Sequence, residues 1–223
     1  MTNGALAVFS PTALTPAVRT AIDNLGGNVR YIAAPDIEHH IFISEWARTF
    51  PAASILGPEG LPEKRESNPE TKGTKFTHVF TAKNKATFKV DEEFDKEFDV
   101  EFVDGHANKE LVFNWRPERT LIQADLIFNL PANEQYSRTG EDASSGFFTK
   151  LFAGINNTKG SALWQQRFIW HAVSKDKKSY AESVKRINGW DFDRIIPCHG
   201  DVIETDGKGI FRKVMEWHLQ GKK

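Results

Sequence analysis

Chemistry-bearing side chains cluster at a few points of the sequence, and histidine marks them. The chain has only seven histidines, and three of their settings are alike. The stretch PDIEHH, Pro35 to His40, brings two carboxylates, Asp36 and Glu38, and two adjacent histidines, His39 and His40, directly behind the apolar, β-prone run VRYIAA. His106 stands just past VEFVDG, and His199 just past RIIPC. Asp125 lies in QAD within an apolar run, where a carboxylate needs a partner or a metal to be tolerated. Imidazole and carboxylate together suit Zn, Mn or Fe. Three or four such groups with an open position lower the pKa of a bound water enough to yield hydroxide near neutral pH.

Such residues act together only if the fold gathers them. Residues 5 to 9, ALAVF, read as a short buried strand, followed by a capped helix with an early Pro and a Gly-Gly stop in SPTALTPAVRTAIDNLGGN. VRYIAA is the next strand, HHIFISEWARTFP a helix ended by Pro51, and ASILGPEGL a third strand and turn. Three strand–helix passes in the first 60 residues predict parallel pairing with helices on the faces. The charged stretch 63 to 75 is a solvated loop. FTHVF, ATFKV, FDVEFVDG, KELVFNW and RTLIQADLIFN then predict an antiparallel meander, with a hairpin around Arg116 to Arg119. Residues 131 to 160 form a long mobile excursion around FFTKLF, and the segments 162 to 174, 177 to 190 and 207 to 223 are helical. In α/β architectures ligands bind in loops at the carboxyl ends of strands, so the three histidine settings and Asp125 are expected to converge there.

The remaining candidates have plainer readings. His171 reads as a core or edge histidine, His78 as half-buried beside two aromatics without a role, and His218 as facing solvent. Cys198 and His199 are neighbours on a strand and point to opposite faces, so Cys198 is a buried, inert thiol. The acidic run 91 to 102 is a charged edge over an aromatic core and lacks the Gly of a calcium loop. No phosphate loop, Ser-centred elbow or nucleotide fingerprint is present.

Composition sets the outer limits. A chain of 223 residues, 39% hydrophobic, can bury one substantial core, so residues 1–223 are expected to form a single domain. Lys plus Arg (29) almost cancels Asp plus Glu (30), which argues against nucleic acid or an anionic membrane as partner and leaves a small-molecule substrate. One cysteine allows no intramolecular disulfide, and no apolar run approaches the ~20 residues that span a bilayer, so the expected location is cytoplasmic. The sequence is silent on oligomeric state.

The order of these motifs carries a family resemblance. PDIEHH before a helix ending in FP, then DGHANKELVF, RTLIQADLIFN and IIPCHGD, resembles the metallo-β-lactamase fold superfamily, and within it a branch of small proteins with a degenerate PN-x-x-HH-type first motif. The resemblance runs from about Ala5 to Trp217. It implies a four-layer αββα sandwich with two mixed β-sheets and a centre holding one or two divalent transition metal ions, Zn, Mn or Fe. His106 matches the Gly-His ligand, Asp125 the bridging carboxylate and His199 the late ligand. The first motif departs from His-x-His-x-Asp-His. With His39 on its last histidine, Glu38, Asp36 and Ala34 fill the other places; with His40 there, His39, Ile37 and Pro35 do. Either placement lacks a ligand, while His39 and His40 both remain candidates. The implied activity is metal-dependent hydrolysis of an ester, thioester, lactone or amide, with Asp36 or Glu38 as general base. The excursion with Phe147, Phe148 and Phe152 would cover the site. A silent binding protein or an iron-dependent redox enzyme of the same fold are the alternatives.

Overall fold

The computed structural model describes residues 1–222, and the chain divides into two compact units, Met1–Glu97 and Phe98 onward. The first unit is built on a four-stranded sheet in the order β1 (Leu6–Phe9), β2 (Val29–Ala33), β3 (Ser54–Pro58) and β4 (His78–Phe80), every pair parallel. Parallel neighbours need crossover connections, and helices α1 (Pro16–Asn24), α2 (Ile43–Thr49) and α3 (Leu61–Glu66) lie within them. Thr15 caps α1 by accepting the Val18 N–H, and Pro16 occupies a first-turn position where its missing N–H costs nothing. Gly26 and Gly27, both with positive φ, then end the helix, the Gly27 N–H reaching back to the Ile22 carbonyl.

The core of this unit joins Ile32 of β2 and Ile55 of β3 to Ile43 and Trp46 of α2 and Leu61 of α3. Ile43 and Trp46 share a helix face at i, i+3, and full burial of each such side chain contributes roughly 1.5–3 kcal/mol. The Trp46 indole N–H is satisfied by the Thr12 carbonyl at 2.6 Å. A short helix, α4 (Glu92–Asp95), closes the unit; Asp91 caps it and also accepts the Tyr31 hydroxyl.

The second unit has the sheet order β5 (Phe98–Val103), β6 (Glu110–Trp115), β7 (Thr120–Ile122) and β8 (Arg194–Ile196). β5/β6 and β6/β7 are antiparallel and β7/β8 parallel. The segment between β7 and β8 carries α5 (Asn133–Tyr136), α6 (Phe147–Ile155), α7 (Leu163–Phe168) and α8 (Lys177–Asn188), while α9 (Gly207–Val214) and α10 (Glu216–Leu219) follow β8. Tyr180, Val184 and Ile187 of α8 pack with Phe211 and Val214 of α9 against Val103, Val112 and Leu121 of the sheet. Arg186 of α8 forms a two-pronged pair with Glu101 of β5, at 2.8 and 2.6 Å.

Several expectations need correction. One sheet is mixed, but the other is wholly parallel, because FTHVF adds β4 to the parallel sheet in place of starting a meander. ATFKV forms no strand: Asn84 and Thr81 bond each other's backbone N–H groups and hold turn structure there. In RTLIQADLIFN the ladder stops at Ile122. Gln123 then takes over the backbone, accepting from Leu126 and Ile127 N–H and donating to the Ile127 carbonyl. Residues 131 to 160 contain two helices, α5 and α6. His218 faces the interior, 2% exposed, between Tyr180 and Trp170, where the terminal helix turns its other side outward. Cys198 is half-buried and His171 is exposed.

Candidate metal centre

In the first unit PDIEHH forms the turn between β2 and α2, and Asp36 is its pivot. Asp36 is fully buried; one carboxylate oxygen accepts the Glu38 and His39 N–H groups at 2.8 and 2.7 Å, and the other lies 2.8 Å from His39 Nδ1. Burial pushes the Asp36 carboxyl up. The His39 ring and the two backbone N–H groups outweigh that and hold it below the usual carboxylate range. An ionised Asp36 fixes the proton on His39 Nδ1, which turns the Nε2 lone pair away from the turn, as in carboxylate–histidine pairs that serve metals.

The neighbouring residues are tied elsewhere. Glu38 is exposed and pairs with Lys64 at 2.9 Å. His40 Nδ1 accepts from the Arg65 guanidinium at 2.8 Å, and the same nitrogen of Arg65 donates to the His40 carbonyl. Burial, then Arg65 and Lys64, push the His40 imidazole below its ordinary pKa, so it stays neutral near pH 7. Arg65 is itself 1% exposed and bonds no carboxylate among the described residues. The two adjacent histidines therefore have different partners, an anion for His39 and a cation for His40.

In the second unit the Gly-His and Ala-Asp segments meet. The β5–β6 hairpin loop holds Gly105 and His106. A Cβ on Gly105 would sit 2.5 Å from the Asp176 carbonyl and 2.7 Å from the Tyr180 nitrogen, so only glycine permits this loop to press against the start of α8. Glu110, the first residue of β6 and fully buried, accepts the Ala124 N–H at 2.9 Å and the Asp125 N–H at 2.8 Å. Asn108 donates to Asp125 Oδ2 at 2.7 Å. His106 accepts the Asn108 N–H on Nδ1, and its Nε2 lies 3.4 Å from both Glu110 Oε2 and the Asp125 carbonyl oxygen. Both ring nitrogens of His106 thus have partners, Nδ1 within the loop and Nε2 at Glu110 and the Asp125 carbonyl.

Asp125 Oδ1 is different. It is buried without a hydrogen-bond partner among the described residues, and His199 Nε2 lies 3.4 Å away. The His39–Asp36 pair shows the ordinary distance for an imidazole bonded to a carboxylate, 2.8 Å. The 3.4 Å separation, which makes no hydrogen bond to Oδ1, is compatible with two donors sharing one ion, since donors ~2.1 Å from a tetrahedral metal lie ~3.4 Å apart. An orphaned buried carboxylate oxygen beside an imidazole fits a divalent transition metal in donor type as well. His199 is held by stacking on Phe128, rings 5.8 Å apart and 5° from parallel. Gly200, with φ +110°, lets the chain pass Asn129, whose backbone would be 2.3 Å from any Cβ there. Of the sequence-derived residues, the second unit brings Asp125 and His199 together, with His106 behind them. Glu110, Asn108 and Arg65 escaped sequence reading. Asn108 and Glu110 lie inside DGHANKELVF, whereas Arg65 falls in the charged stretch 63 to 75, which carried no motif.

No family model matches the sequence, and no curated protein matches it. Solved structures do. A metallo-β-lactamase from Pontibacter korlensis aligns over 96% of this chain and 81% of its own, at 14% identity and TM-score 0.55. A metallo-β-lactamase from Hirschia baltica aligns over 96% and 79%, at 12% identity and TM-score 0.50. A flavo di-iron protein variant from Thermotoga maritima aligns over 91% of this chain but 46% of its own, at 15% identity and TM-score 0.53. The α/β fold expected from the motif order is therefore the observed one: the chain has the metallo-β-lactamase fold.

Proposed function

We propose that the protein binds a divalent transition metal through Asp125 and His199 and acts as a metal-dependent hydrolase on an ester, thioester, lactone or amide. The observation that carries this reading is the partnerless, buried Oδ1 of Asp125 standing 3.4 Å from His199 Nε2. A Lewis-acidic ion held there would polarise a carbonyl oxygen and lower the pKa of a water. The chain's own residues set up that chemistry. Glu110 pins the Asp125 backbone, Asn108 occupies Oδ2 and leaves Oδ1 to point at His199, and Phe128 fixes the His199 ring plane. His106 steadies the loop that carries Asn108. From the PDIEHH turn the family resemblance assigns a further ligand, and His39, oriented by Asp36, has the required tautomer. Glu38, exposed and bonded to Lys64 at 2.9 Å in a solvent-screened pair, is the carboxylate this reading assigns to proton transfer.

A second reading is iron-dependent redox chemistry, supported by the likeness to a flavo di-iron protein. Zinc, manganese and iron are told apart by elemental analysis of protein purified without added metal, together with melting temperature on adding each ion. Stoichiometric metal that is lost in Asp125→Ala and His199→Ala is expected. His39→Ala measures the share of the first-motif turn. Bound iron with oxygen-dependent turnover would favour the second reading. Absence of metal, with no thermal shift from any of the three ions, would leave a silent binding protein.

A further inference from the structure

The charge balance of the whole chain conceals a local imbalance. Between Asp142 and Asp176 the sequence has no Asp or Glu, while Lys150, Lys159, Arg167 and Lys175 all fall there. The same segment presents the largest exposed apolar side chains of the second unit. Helix α6 buries none of its residues. Phe147 is 76% exposed, Phe148 81%, Leu151 52% and Phe152 44%, and Trp164 on α7 is 59% exposed. Phe147 and Leu151, like Phe148 and Phe152, are four residues apart, so the four share one helix face, with Lys150 at its margin. Arg167 lies over the Trp164 ring at 4.9 Å, setting a cation beside the second aromatic group.

A water-facing aromatic face of this kind marks an interaction surface. Its charge selects the partner. A second copy of the chain would bring a like-charged patch against it, whereas anionic headgroups complement the cations and a bilayer's upper acyl region accepts Phe, Leu and Trp. Helix α6 has nine residues, far short of a bilayer span, and no helix of the described residues is long and apolar enough to cross one. We infer that α6, with Trp164 and Arg167 of α7, is a peripheral docking face for an anionic lipid bilayer.

Phe152 also anchors the helix, its ring meeting Phe128 at 6.1 Å and Phe168 at 5.9 Å edge to face. Phe147 and Phe148 pack on each other, 5.5 Å apart, and are the residues to change. The inference does not depend on the metal centre. Full-length protein is sedimented with vesicles of phosphatidylcholine alone and of phosphatidylcholine mixed with phosphatidylserine. Binding to the mixed vesicles only, weakened by salt, is expected. A double variant, Phe147→Ser with Phe148→Ser, should weaken partitioning by about tenfold or more. Lys150→Glu, which keeps the apolar face whole, should weaken it too. No partitioning to mixed vesicles, or partitioning that both variants leave unchanged, would overturn the inference. So would a stable dimer in sedimentation velocity that the double variant dissolves, since a second copy would then cover the face.

Discussion

Asp125 and Asp36 show how the same side chain takes different states from different neighbours. Asp36 makes three hydrogen bonds within its own turn, to Glu38 and His39, whereas Asp125 has one oxygen on Asn108 and one without a partner among the described residues. The difference traces to Glu110, whose buried carboxylate grips the backbone of Ala124 and Asp125 and so fixes where the Asp125 side chain starts. Glu110→Ala would strand two buried N–H donors, and a loss of about 3 kcal/mol in urea unfolding is expected. A change below about 0.5 kcal/mol would show that Glu110 is no anchor. His199→Ala removes a half-exposed ring stacked on one face, so it should cost far less stability while removing metal uptake. That contrast separates a residue that builds the site from one that would use it. Neither Glu110 nor Asn108 stood out in DGHANKELVF, because what distinguishes them is the direction of a carboxylate and an amide across a hairpin.

At the level of elements, the strand–helix alternation of the first unit was legible because each element carries its own period and its own stops. The Gly26-Gly27 end of α1 and the Pro51 end of α2 are local chemistry, and they appear where expected. The meander was less legible. Short apolar runs such as ATFKV look like strands but need a neighbour's free edge to become one, and the sequence does not say which edges are free. The motif glycines have a structural meaning that their spacing alone did not carry. Gly105 lets the hairpin loop touch the first turn of α8, so Gly105→Ala must push the two apart. A cost of about 2–3 kcal/mol is expected, with faster hydrogen exchange in the first turn of α8. Unchanged exchange and stability would mean that the loop and α8 are not pressed together in solution.

Across the whole molecule, acid stability reports on buried histidines. Burial, with a smaller push from Lys177, holds the His218 imidazole down to about 4, and its Nε2 is buried without a hydrogen bond among the described residues. The unfolded chain takes up this proton near pH 6.5, whereas the folded chain does so only near 4. Stability is therefore full above pH 6.5, declines as pH falls between these values, and levels off below the lower one. The difference amounts to up to ~3 kcal/mol. His218→Gln, which cannot titrate, should flatten this part of the curve in urea unfolding across that range. A slope as steep as that of the parent chain would show that other groups cause it. His40, also pushed down, acts in the same direction. The sequence by itself determined the residue types at each strand end, their order along the chain, the α/β character and the resemblance that predicted the fold. Those are one-dimensional properties, written in periodicity, caps and motif spacing. Only the tertiary structure decided that His39 pairs with Asp36 while His40 pairs with Arg65, that the ring nitrogens of His106 are occupied, and that Asp125 Oδ1 faces His199. Each of those depends on where a side chain from a distant part of the chain arrives and which of its atoms points inward, and no spacing along the sequence encodes that direction.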